Sequence, residues 1–256
     1  MDSVTSGKSI IAFQRWLQTP AGTYMRAWEQ ASLDTLTADI FGFHAVQIGM
    51  PQIDALAACR MPNKWLADTA HAEASAAPRA LPAQASLILE FSELPFAAQS
   101  LDLVVLPHVL EFCAEPHQLL REVERVLMPE GQLIICGFNP ASLWGMRQAC
   151  GRLTGSHFLP RGGELISIAR MKDWLKLLNM GVNQSHLGCH RPACKTEHWL
   201  QRTAFMDQAG PRWWPYFGAV YMIQAIKRVK GMRLIGPAWN KKPALNASAV
   251  PAASKE

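Results

Sequence analysis

An open α/β sheet with helices on both faces is the fold class this 256-residue sequence predicts. Three observations carry it. Leu103-Val104-Val105-Leu106 and Leu133-Ile134-Ile135 are short apolar runs rich in β-branched residues, which suit strands buried on both faces. Between them lies a helical stretch. Pro116 opens it, since a first helical position has no use for the missing N–H. Leu119, Leu120, Val123, Val126 and Leu127 form one apolar stripe, and Pro129-Glu130-Gly131 closes the stretch with turn residues. Parallel strands joined by such a helix make a right-handed βαβ unit, from which doubly wound sheets are built. Finally, 49% hydrophobic and 18% charged residues are those of a globular chain, long enough for one large α/β domain with additions.

Taken in order, residues 9–40 read as helix in two pieces broken near Pro20-Ala21-Gly22. Ile10, Phe13, Trp16 and Leu17 form one stripe; Trp28, Leu33 and Leu36 belong to the second. Ala45-Val46-Gln47-Ile48-Gly49 is the first strand, and the loop after it reads Gly49-Met50-Pro51-Gln52-Ile53. A helix is expected over 53–59, a second strand over 64–68 and a third over 86–90. The Ala- and Pro-rich stretch 69–85 reads as a loose helix or surface loop. After the fifth strand, Asn139-Pro140 signals a turn, and 145–161 is a loop or short helix carrying Arg147, Arg152, His157 and Arg161. An amphipathic helix over 166–180 ends at Gly181, and a sixth strand follows over 182–188. A helix over 199–205, a loop over 210–215 and a last strand over 218–228 complete the domain. The Ala-, Pro- and Lys-rich segment 236–256 has little to bury and is expected to be disordered.

The ordered set "LPF" at 94–96, "LDLVV" at 101–105 and "REVERVLMPEGQLII" at 121–135 resembles the second half of a class I S-adenosylmethionine (SAM) dependent methyltransferase of the small-molecule type. The family's "E-x-x-R-V-L-x-P-G-G" appears here as Glu122, Arg125, Val126, Leu127, Pro129, Glu130 and Gly131, with glutamate for the first glycine. The resemblance runs from about residue 45 to 228. It implies a Rossmann-like, doubly wound, mostly parallel seven-stranded sheet with an antiparallel last strand. It also implies residues 1–44 as helices packing on a domain of residues 45–235, and S-adenosyl-L-methionine as cofactor.

In that family the loop after the first strand is rich in glycine, so that backbone approaches the cofactor and a helix N-terminus faces it. Here only Gly49 matches, and Pro51 and Ile53 stand where glycines are usual. Asp68 falls about 20 residues after the first loop, where such folds place a ribose-binding carboxylate; an N-cap for a helix from Thr69 is the other reading, and both stay open. Glu90 and Phe91 resemble the adenine-binding pair. Gln47, Gly49 and Pro107 complete the expected cofactor contacts. His108, where SAM and acceptor usually meet, is the candidate general base, with an unperturbed pKa near neutrality. An exposed or capping histidine is the competing reading. Cys113 has no identifiable base beside it and reads as a small core residue.

His186, Cys189, His190, Cys194 and His198 cluster in sequence, but their spacing fits no zinc pattern, and no metal is expected. No nucleic-acid motif accompanies the net charge of +5. No apolar run is long enough to span a bilayer, and the start is not a signal peptide. Six scattered cysteines suit reduced thiols in the cytoplasm. The expected function is SAM-dependent methyl transfer to a small-molecule acceptor. The alternative is an inactive, methyltransferase-like protein acting through a protein partner. A nicotinamide dehydrogenase would need a G-x-G-x-x-G loop, which is missing.

Overall fold

The computed structural model describes residues 11–68, 86–89, 91, 93–155, 157–160 and 162–228. Expectations for 69–85, Glu90, Arg161 and the tail from 236 lie outside them. The described strands form one seven-stranded sheet in the order β3-β2-β1-β4-β5-β7-β6. They are β1 (His44–Ile48), β2 (Asn63–Asp68), β3 (Ser86–Ile88), β4 (Leu101–Pro107), β5 (Leu127–Phe138), β6 (Met180–Gly188) and β7 (Val220–Lys227). The first five are parallel, and β7 runs antiparallel to both β5 and β6. The strand order reverses between β1 and β4, the point where open α/β sheets bind their ligands.

Alternation along β4 shows how the sheet is buried. Val104 and Leu106 enter the core beneath α4 (Pro116–Val126) and α6 (Ile168–Leu177). Leu103 and Val105 point to the opposite face, with Leu33 of α2 (Pro20–Ala38), Ile53 and Leu56. A third cluster caps the carboxyl ends of the strands. There Phe13 and Leu17, in and just after the helical residues 11–16 (α1), pack with Phe138 and with Trp144 of α5 (Leu143–Thr154). The remaining helices are α3 (Val109–Phe112), α7 (Glu197–Arg202) and α8 (Phe205–Trp213).

The E-x-x-R motif gains a physical reason here. Glu122 accepts the Leu94 N–H at 3.2 Å, and Arg125 donates to the carbonyls of Leu94 and Phe96 at 3.0 Å each. Two side chains one helical turn apart on α4 therefore fasten the 94–96 segment beside the sheet.

Two expectations are corrected and one open choice is settled. Residues 53–59 form turns rather than a helix. Pro51 lacks an amide N–H to give, and the Gln47 side chain occupies the backbone groups that a helix would have paired. Of the loop or short helix expected over 145–161, the helix α5 forms, because the Ser142 side chain accepts the Gly145 N–H and caps it. Helix α8 continues to Trp213 with Pro211 inside it, where a loop was expected.

Candidate functional site

A cleft with an empty volume of about 270 Å³ lies at the carboxyl ends of β1, β2 and β4, against the reversal of strand order. Gly49, Met50, Asp68, Phe91, His108, Val109 and Phe112 line it. Gly49 has φ of 74°, and a Cβ there would meet Val109 Cγ2 at 2.7 Å, so the backbone passes where only glycine fits. Met50 follows with φ of 53°, which gives a second left-handed residue in succession.

Gln47 has a different part from that of a cofactor contact. It is fully buried, and its amide nitrogen donates to the carbonyls of Gly49 (3.1 Å), Met50 (3.0 Å) and Ile53 (2.8 Å). Its oxygen accepts the Ala55 N–H at 2.9 Å. One side chain thus satisfies the turns that stand in for the missing helix. Ile53 packs among Leu33, Leu103 and Val105 on the far face. Pro51, though buried, is likewise absent from the cleft lining. Both departures from the glycine pattern therefore leave the cleft open.

His108 is the second correction at the site. It ends β4 with φ of 54° and is the N-cap residue of α3, but its side chain makes no cap. It is neither exposed nor available as a base. The ring is fully buried, with Nε2 2.6 Å from Glu29 of α2 and Nδ1 2.9 Å from Glu111 of α3. Burial alone would lower its pKa. The two carboxylates outweigh that and hold it at about 10, so near neutral pH the ring is an imidazolium without a free lone pair. Glu111 also accepts the Phe138 N–H at 2.5 Å, which ties β5 to the same cluster. Glu29 Oε2 is buried without a hydrogen-bond partner. Helix α2, the β4–α3 turn and β5 thus meet at one charged node behind the cleft. Neither Glu29 nor a pairing between His108 and both acids is signalled by spacing, since 79 residues separate Glu29 from the histidine.

The remaining candidates fall as follows. Asp68 and Phe91 reach the cleft from the ends of β2 and β3, and Pro107 is buried at the end of β4. Whether Asp68 caps a helix from Thr69 falls outside the described residues. Burial pushes the half-buried Cys113 thiol up, which keeps it protonated and unreactive. Cys189 is buried and its thiol is also pushed up by burial, while His186 faces solvent and pairs with Gln184. Among the described residues no three His, Cys, Asp or Glu side chains converge to hold a metal.

A second pair of cavities lies beyond Phe112. The inner one is lined by Glu111, Phe138, Gln148 and Leu165, and it adjoins a wider opening of about 560 Å³ bordered by Pro140, Gly145, Gln148 and Glu164. Phe112 is common to the first cleft and the inner cavity, so one aromatic ring separates the two.

Comparison with known proteins gives this arrangement its class. The family model "Methyltransferase domain" matches residues 56–135. A Thermotoga maritima SAM-dependent methyltransferase superposes with a TM-score of 0.62, covering 89% of this chain and 100% of its own at 14% identity. A chain of the complex between the Haloferax volcanii Trm112 methyltransferase activator and a methyltransferase superposes with a TM-score of 0.57, covering 85% and 96% at 15% identity. Residues 56–135 thus carry a methyltransferase domain, and the sheet has the fold of the class I SAM-dependent methyltransferases. S-adenosylmethionine is the cofactor named for the similar Thermotoga maritima fold, and methyl transfer is the chemistry that the matching family model describes. The uncharacterized protein YafS of Escherichia coli is 31% identical over 176 residues, which are 68% of each chain, and this chain belongs to the same family.

The described residues fit that cofactor. The fitting observation is the Gly49 backbone, held by Gln47 where a Cβ would collide, facing a cleft that has one carboxylate at the β2 end and aromatic walls.

Proposed function

We propose that the chain methylates a small-molecule acceptor, with cofactor bound between β1, β2 and β4 and acceptor entering from the Gln148 side. The convergence of Gly49, Asp68 and Phe91 on one cleft at the reversal of strand order carries this reading. Asp68 accepts the ribose hydroxyls, which a carboxylate does better than a neutral side chain. Phe91 lies against the adenine with Glu90 beside it in sequence, and the Gly49 and Pro107 backbone close the floor. When bound, SAM supplies a methyl group on a sulfonium centre. The chain's own part is to align the acceptor, and Phe112 and Phe138 keep water from the reacting atoms. His108 acts as a positioning residue in the imidazolium form. We place the protein in the cytoplasm, where its six scattered cysteines suit reduced thiols. Residues 45–235 form the catalytic unit, with residues 1–44 packed upon it.

Calorimetric titration with SAM tests the reading. Saturable micromolar binding that Asp68→Ala weakens by at least about tenfold, one lost charge-assisted hydrogen-bond set, supports it. Wild-type protein that fails to bind SAM at millimolar concentration overturns it. A protein partner, as in the Trm112 complex, is a second reading supported only by that one similar fold.

A further inference from the structure

Helix α8 and the turn after it display an unusual surface. Residues 211–217 are seven consecutive exposed positions. They include Trp213 (72% exposed), Trp214, Tyr216 (78%) and Phe217. Phe205 at the start of α8 and Trp199 of α7 are also exposed. Asn139 draws the α5 end of the molecule to the same place, donating to the carbonyls of Tyr216 (2.9 Å) and Gly218 (3.0 Å). There α5 adds exposed Leu143 and Met146. Four large aromatic side chains left in water within one five-residue segment mark a docking surface.

We infer that this face docks on the surface of an anionic lipid bilayer. Two observations select that occupant. The first is shape: the Phe217 N–H bonds to the Trp214 carbonyl at 3.1 Å, so the aromatic residues stand on a turn and project, whereas protein hot spots pack into central pockets. Indole and phenol rings pair an apolar body with a polar tip and settle at headgroup depth. The second is charge. From 195 to 217 the exposed charged side chains are Lys195, Glu197, Arg202 and Arg212, three cations to one anion. The partly buried acid of α8, Asp207, is neutralised by Arg191 at 2.8 Å. Cations beside interfacial aromatics are the pattern of a surface-lying element that meets anionic headgroups. The contact is peripheral, since no described helix is long and apolar enough to cross a membrane.

Cosedimentation of the full chain with vesicles decides the matter. Mixed phosphatidylglycerol and phosphatidylcholine vesicles should carry down the protein, pure phosphatidylcholine vesicles far less, and added salt should release it. Replacing Trp213 and Trp214 together by serine should lower the partition coefficient at least about tenfold. Tyr216→Ser should lower it less, and SAM affinity should be unchanged in both variants. Failure of wild type to bind anionic vesicles, or undiminished binding by the double variant, overturns the proposal. So does a wild-type dimer that the double variant dissolves while vesicles remain unbound, which would assign the face to a second copy of this chain.

Discussion

Asp68 and His108 sit within one cleft yet do opposite work, and their substitutions should separate. Asp68 ends a strand and lines the cleft, so Asp68→Ala should lose cofactor and keep the fold, read as weakened SAM binding with an unchanged melting temperature. His108 joins two buried carboxylates. His108→Ala would leave Glu29 and Glu111 without their cation, at a cost of about 3–5 kcal/mol, measured by urea denaturation. Its pH dependence follows from the raised pKa. The native state holds a proton that the unfolded state releases near pH 6.5, so the stabilisation is complete below that pH and drains away as pH rises towards about 10. Thermal melts from pH 6 to 10 should show a falling Tm, and the slope should flatten in Glu29→Gln. Sequence pointed to both residues. It could not distinguish their roles, because pairing with Glu29 depends on how α2 crosses the end of β4, a contact of high sequence separation.

At the scale of elements, the βαβ unit over 101–138 was legible because its apolar periods switch from two to 3.6 and back, and local pattern coincides with tertiary burial. The segment after β1 was not legible. Its apolar residues, Ile53, Ala55, Leu56 and Cys59, are buried as expected of a helix, but turns supply the burial and one glutamine pairs the backbone. Gln47→Leu should therefore cost about 1–3 kcal/mol for the carbonyls it strands, and SAM affinity should fall with it as Gly49 loses its support. Arg125→Ala releases two carbonyl bonds at 94–96. Hydrogen exchange should show that segment opening before the strands do.

Across the whole molecule, seven strands expose two edges, and each is guarded differently. Edge strand β6 carries Asn183, Gln184, Ser185 and His186 outward, while β3 at the other edge is only three residues long. Short or polar edges discourage pairing with a second sheet. The sheet order and the antiparallel last strand agree with the family resemblance in the sequence, and they place the cleft at the reversal of order without further adjustment. The turns that replace a helix after β1 bear on which nucleotides can be accepted. A pyrophosphate is held in such folds by the positive end of that helix, and here no helix end faces the cleft from β1. What remains is a carboxylate at the β2 end and backbone carbonyls turned inward onto Gln47. Among the described residues a pyrophosphate would find no helix end after β1 to hold it, so dinucleotides should bind less well than a nucleoside without phosphates.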